Sequence, residues 1–218
     1  MEWTWHPVKM SFLAATAGTI ITLSAAILIA HFMVKRRRRG EAILETILFL
    51  PLVLPPTVIG FILVVIFGSK SSVGRLIEYF TGSSVLFTAL AAIIAASVVA
   101  FPLMYQSIKT GFLSVDSNIL DAAEVDGASN WKQFIKIIIP LSTRSILTGI
   151  ILGFTRGFGE FGATLMFAGN IPGKTQTIPT AIYLAIETGA TRIAWYYALI
   201  SIGFSFLLLL MVKLTGKQ

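Results

Sequence analysis

The chain has 218 residues, of which 56% are hydrophobic and 12% charged, and its mean hydropathy is +0.84. A soluble domain carries roughly 25% charged residues, so water is excluded as the main solvent; the absence of cysteine excludes disulfides, thiolate metal sites and cysteine nucleophiles. The net charge of +7 would suit nucleic acid, but such readers hold their basic residues on a solvated face, whereas the densest run here, Lys35 to Arg39, directly follows an apolar stretch.

Crossing the hydrocarbon core takes about 20 mostly apolar residues. Five segments meet that requirement, at about residues 11–34, 43–67, 84–105, 145–168 and 195–214. They predict an all-α, polytopic helical bundle in one domain, 1–218. The first segment carries its cationic cluster after the apolar stretch and is too long for the core of a signal peptide, so a retained span is expected. Short loops rich in Lys and Arg stay in the cytoplasm. With the N-terminus outside, eleven Lys and Arg fall inside and five outside, with Arg156 left within a span. The expected orientation is therefore N-terminus out and C-terminus in, with Lys35 to Arg39 as a topology anchor.

The second segment contains Pro51, Pro55 and Pro56. Proline removes a backbone donor and clashes with the preceding turn, so this span should be kinked or broken near mid-depth. Broken helices at that depth are tolerated where they line a cavity, which makes these prolines candidates for a transport path, with simple kinking as the alternative. Glu45, near the start of the segment, is placed to reach the interface.

The longest stretch between spans, about 106–140, carries helix signals. Asp116 or Ser117 can cap a helix running to Asp126, and Gly127 suits the left-handed conformation that ends one. Ser129 can cap a second short helix over 130–137, which Pro140 is expected to break ahead of the next span. Trp131 and Phe134, three apart, share a face of that helix and either seek a partner surface or pack on the chain itself.

In the fourth span Gly149, Gly153 and Gly157 recur every four residues and predict a flat stripe for close helix packing. Gly157 to Gly162 also satisfies GxGxxG, but that fingerprint has meaning only between a strand and a helix. A charge at mid-membrane costs roughly 2.5–3.5 kcal/mol on insertion scales, so Arg156 and Glu160 should face a partner or water. Four-residue spacing allows them to pair; the pair is either structural or borders the path of an anion. The segment 178–189 is too short to cross and reads as re-entrant or interfacial. Gly169 to Thr175 resembles a phosphate loop but is one residue short, and His6 and His31 are isolated, so neither a nucleotide nor a metal site is expected.

Asp121-Ala122-Ala123, three residues, Gly127, nine residues and then Ile137-Ile138-Ile139-Pro140 resemble the EAA loop of ABC importer permeases, with Asp121 in place of Glu and Ile139 in place of Leu. The resemblance implies a cytoplasmic loop that docks on an ATPase, with Asp121, Ala122, Ala123, Gly127, Trp131, Phe134 and Pro140 as coupling residues. Gly159 to Thr164, Gly169 to Pro179, and the run Pro51 to Pro56 followed by Gly60 look like molybdate permeases in particular; sulfate or tungstate permeases are the alternative. A permease of that kind implies pairing with a second copy, two cytoplasmic ATPase subunits that bind ATP and Mg, an extracytoplasmic oxyanion-binding protein, and a multi-pass place in a bacterial or archaeal cell membrane. The chain itself has no Walker motif, and Arg156 with Glu160 offers charge but no nucleophile, so no catalytic residue or cofactor of its own is expected.

The charge asymmetry generates a labelling test. Cysteines introduced at Lys70 and Lys174 are expected to react with an impermeant thiol reagent in whole cells, and one at Ser129 to stay protected. Reaction at Ser129 alone would reverse the orientation.

Overall fold

The structure is a computed structural model that describes residues 2–35 and 40–215; Arg36 to Arg39 and Lys217, part of the inner charge set above, lie outside the described residues. The elements are α1 (His6–Lys35), α2 (Glu41–Val53), α3 (Pro56–Phe67), α4 (Ser72–Thr81), α5 (Ala89–Leu113), α6 (Ser117–Val125), α7 (Asn130–Gln133), α8 (Ile139–Leu141), α9 (Thr143–Phe158), α10 (Gly162–Phe167), α11 (Ile178–Glu187) and α12 (Thr191–Thr215). A π turn, Phe134–Ile138, joins α7 to α8. The all-α, membrane-spanning architecture expected from the sequence is therefore the one observed.

Three helices, within α1, α5 and α12, are long and apolar enough to cross a membrane alone. Length and composition allow up to five crossings if each of two bent pairs is one span: α2 with α3, bent by 114°, and α9 with the run Asn130–Leu141 that leads into it, bent by 71°. α5 continues as helix to Leu113, so the first part of the stretch 106–140 is an extension of that span and not loop.

α5 is the axis of the bundle. Lipid gives apolar helices no hydrophobic reason to associate, so close van der Waals packing of small residues has to hold them. α5 presents Ala91, Ala92, Ala95, Ala96 and Ala100, all buried. α1 meets it at Gly18, where an added Cβ would lie 3.3 Å from the Ala96 Cβ, and Thr22 Oγ1 donates to the Ser97 carbonyl at 3.0 Å. α9 runs down the other side through the predicted glycine stripe: Gly149 faces Met104 and Ser107, Gly153 faces Met104, and Gly157 faces Ala96.

Two core clusters divide this axis by level. Toward one end, Met10, Ile59, Leu63, Ala91, Ala95 and Phe167 pack together. Toward the other, Ala26, Ala30, Met104, Ile108, Phe112 and Phe134 do. Because α3 contributes to the first cluster and Phe49 of α2 packs on Tyr105 in the second, the bent pair advances along α5 and crosses in two pieces. α11 is the short apolar helix expected at 178–189; with α1, α9 and α12 it encloses a third cluster around Phe158 and Tyr197.

Glycine contacts differ in how far the neighbour can yield. A Cβ on Gly111 would lie 2.4 Å from the Ser145 Cβ, close to backbone, whereas one on Gly153 would meet only the flexible end of Met104. Overpacking costs about 1–3 kcal/mol where neighbours cannot move, and Gly to Ala in a helix returns roughly 0.5–1 kcal/mol. Gly111→Ala is therefore expected to lower the thermal unfolding midpoint of the detergent-purified protein, and Gly153→Ala to leave it unchanged or raised. Equal effects would contradict this packing.

Candidate functional site

Two helix breaks meet inside the bundle. At the first, α2 ends at Val53 and the backbone is extended at Leu54 (ψ 145°) and Pro55 (ψ 136°) before α3 begins at Pro56. A residue before proline is barred from helical ψ, and two successive prolines bar Leu54 and Pro55 in turn. Pro51 behaves differently. It lies inside α2 and the helix continues past it, the Leu54 N–H still reaching the Leu50 carbonyl at 2.9 Å. Of the three prolines, Pro55 and Pro56 thus make the break.

The second break is at 159–161, between α9 and α10, where the sequence alone predicts continuous helix. Glu160 holds it. Its Oε2 accepts from Arg156 Nη1 at 2.6 Å, and its Oε1 accepts from the Ala163 N–H at 2.8 Å. The expected ion pair therefore exists, but it spans a gap between helices. A carboxylate at the start of α10 and a guanidinium in the last turn of α9 each lie at the helix end whose dipole favours that charge. The side chain of Glu160 is 1% exposed and that of Arg156 is 29% exposed, so the cation faces partly outward and the anion does not.

The breaks touch through glycine. A Cβ at Gly162 would lie 2.9 Å from the Pro56 Cβ, and one at Gly60 would lie 2.6 Å from the Met166 Cβ. Pro55, Pro56, Thr57 and Gly159 are exposed around the junction. Pro55, Pro56, Arg156 and Glu160 are thereby assembled at one place, level with Ala96 of α5, while Pro51 stands a turn below the first break. Chemically the arrangement offers a partly exposed guanidinium, whose planar fork of donors matches a tetrahedral oxyanion, with its structural counter-charge fixed behind it.

The second assembled region is the loop after α5. Asp116 caps α6, its Oδ1 accepting from the Asn118 N–H at 2.9 Å. The helix ends in a Schellman motif: Gly127 has φ +79°, its N–H reaches the Glu124 carbonyl at 2.9 Å, and the Ala128 N–H reaches that of Ala123 at 2.8 Å. Ser129 caps α7. Trp131 and Phe134 do not share one fate. Trp131 is 57% exposed, whereas Phe134 is 2% exposed, packed on His31 of α1 at 4.0 Å between ring centroids and on Phe112 of α5 at 5.7 Å. The expected break at Pro140 is also displaced. The π turn widens the ladder by one residue ahead of the proline, so the chain stays helical to Leu141 and bends at Ser142 instead.

Sequence reading missed one cluster. Lys109 of α5 pairs with Glu45 and lies 3.7 Å from Glu41, and Tyr105 donates to Glu45 Oε1 at 3.2 Å, tying α2 to the loop end of α5. Its signal was present as two complementary i, i+4 pairs, Glu41 with Glu45 and Tyr105 with Lys109.

Comparison with known proteins returns consistent relatives. The pattern described as binding-protein-dependent transport system inner membrane component matches residues 18–217. The Bacillus subtilis permease protein YvgM, named for a molybdenum transport system, is 52% identical over 207 residues, covering 95% of this chain and 91% of that one. The molybdenum transport system permease protein ModB of Escherichia coli K12 is 39% identical, covering 87% and 85%. A cysT protein of Chlorokybus atmophyticus, named for a sulfate transport system, is 32% identical and covers 84% of this chain and 65% of its own. Among solved structures, a bacterial alginate ABC transporter in complex with its pentasaccharide-bound periplasmic protein aligns over 100% of this chain and 79% of that chain, with a TM-score of 0.77 at 16% identity.

Removing Arg156 alone would strand a buried carboxylate, a loss of about 3–5 kcal/mol for broken buried pairs. Arg156→Gln is therefore expected to reduce the yield of monodisperse protein. Arg156→Gln with Glu160→Gln keeps an acceptor for Ala163 and should restore it. Wild-type yield and unfolding midpoint in the single mutant would show that the pair carries no structural load.

Proposed function

Because the chain belongs to the binding-protein-dependent transport system inner membrane components, we propose that it is the molybdate permease of a bacterial ABC importer, with the junction of its two broken helices as the path. The protein is a multi-pass membrane subunit of a transporter and not itself an enzyme. In this reading ATP and Mg are bound and hydrolysed by a separate cytoplasmic subunit. One loop per chain calls for two copies of the permease on two ATPases, with an oxyanion-binding protein delivering substrate from outside and with the N-terminus out. The observation that carries molybdate over sulfate is identity: 52% and 39% to two permeases named for molybdenum, against 32% to one named for sulfate.

The path acts by geometry and charge. An anion leaving the binding protein meets the exposed prolines and Thr57 and then the guanidinium of Arg156, which lowers the barrier for a doubly charged oxyanion at mid-membrane. Glu160, turned inward onto Ala163, holds Arg156 in place and keeps its own charge away from the substrate. If this is right, the Arg156→Gln, Glu160→Gln double mutant folds but takes up molybdate several-fold more slowly; uptake at the wild-type rate would remove Arg156 from the path.

The coupling loop divides into a docking ring and a transmitting ring. Trp131, exposed, meets the ATPase; Phe134, buried against α1 and α5, passes the displacement into the bundle. Asp121, Ala122, Ala123 and Gly127 form the helix and turn that aim the second helix, and Pro140 precedes the bend into α9. Trp131→Ala should weaken retention of the ATPase by about 2 kcal/mol, roughly 30-fold, with the permease still folded. Gly127→Val should lose coupling more than Gly127→Asn, since Asn tolerates positive φ and nothing lies within 4 Å of an added Cβ. Co-purification and substrate-stimulated ATP hydrolysis measure both, and full coupling in Trp131→Ala and Gly127→Val would refute the assignment.

A further inference from the structure

The segment between the second and third crossings reads from sequence as a loop, yet it contains the ten-residue helix α4, too short at about 15 Å to cross a membrane. It is fixed firmly. Ser71 caps it, with Oγ accepting from the Gly74 N–H at 2.8 Å, and Ser69 Oγ donates to Glu78 at 2.5 Å. Gly74 lies directly on the end of α3, where a Cβ would come within 2.1 Å of the Gly68 carbonyl oxygen, and Ile77 packs into the cluster that holds Met10 and Val85. The helix therefore turns aside across the end of α3 and does not extend it.

Its remaining surface is divided by chemistry. Val73, Leu76 and Phe80 are exposed and share one face at helical spacing, with exposed Tyr79 at its edge next to Arg75, while Glu78 lies on the opposite side. α3, to whose end α4 is fixed, itself exposes Phe61, Val65 and Ile66 and is read as part of a crossing. The same end of the bundle carries exposed Trp5 before α1 and exposed Trp195 and Tyr196 at the start of α12. Aromatic side chains gather at this depth because their flat, partly polar rings suit the headgroup boundary. Lys70 precedes the helix and Arg75 lies within it at the edge of the apolar face, and cations at such an edge suit lipid phosphates.

We propose that α4 is an in-plane membrane anchor, immersed by Leu76, Tyr79 and Phe80 in the headgroup and acyl boundary of one leaflet, which fixes the level of the α3 end and so of the break at Pro55. The occupant of this face is lipid and not a second copy of the chain or a soluble partner.

The natural absence of cysteine allows single nitroxide labels without background. Labels at Leu76, Phe80 and Arg75 would be placed in the permease with its ATPase, in vesicles of phosphatidylethanolamine and phosphatidylglycerol, and their collision rates with oxygen and with a water-soluble nickel chelate compared. The expected ratio of oxygen to nickel collisions is several-fold higher at Leu76 and Phe80 than at Arg75. Labels at Leu76 and Phe80 shielded from both reagents would identify a protein partner, and labels as open to nickel as Arg75 would place the helix in water; either result overturns the proposal.

Discussion

Inside a bilayer every backbone N–H and C=O must find its partner within the protein, because there is no water to supply one. A helix that breaks at that depth leaves donors and acceptors at both new ends. In this chain the second break is closed by one side chain: the Glu160 carboxylate takes the Ala163 N–H of α10 and the Arg156 guanidinium of α9 together. The first break needs less, because proline brings no N–H to satisfy at Pro55 and Pro56. Placing the two breaks against each other, through Gly60 and Gly162, lets irregular backbone sit where it is covered on one side and open on the other.

From that constraint follows a division of labour along α5. Its small residues clamp α1 and α9, so the level of the breaks is set by rigid packing, while its loop end is bound to α2 by Lys109, Glu45 and Tyr105. The loop proposed to couple to the ATPase is built onto the same end. Phe134 sits between His31 and Phe112, and the helical run through Pro140 leads by a single bend into α9, which carries Arg156 at its far end. Exposed Trp131 is thus linked through packed side chains and one bend to the helix that carries Arg156.

Much of this was legible in the sequence, because its signals were local. Hydropathy placed the crossings, Asp116, Ser129 and Gly127 marked the ends of the loop helices, and the glycine stripe of α9 faces α5 as its spacing implies. What escaped depends on contacts between distant segments. Nothing local distinguishes Trp131 from Phe134; only the positions of α1 and α5 bury one and leave the other out. Pro140 was read as a breaker because proline usually is one, whereas the π turn at Phe134–Ile138 carries the helix past it to Leu141. The break at 159–161 was hidden by the same pairing of Arg156 with Glu160 that a continuous helix would allow. α4 went unread because its ten residues fall between two apolar stretches and are too few to register as a span.

The central claim is that the junction of the two breaks is open to water and substrate at mid-membrane. In a naturally cysteine-free chain, single cysteines at Thr57 and Phe161 test it, with one at buried Ala100 as the control. The account predicts that Thr57 and Phe161 react with a small charged thiol reagent in the assembled importer, that Ala100 does not, and that transported oxyanion slows the two reactions. Cysteines at Thr57 and Phe161 as inert as the one at Ala100, in both the resting and the ATP-bound complex, would contradict it.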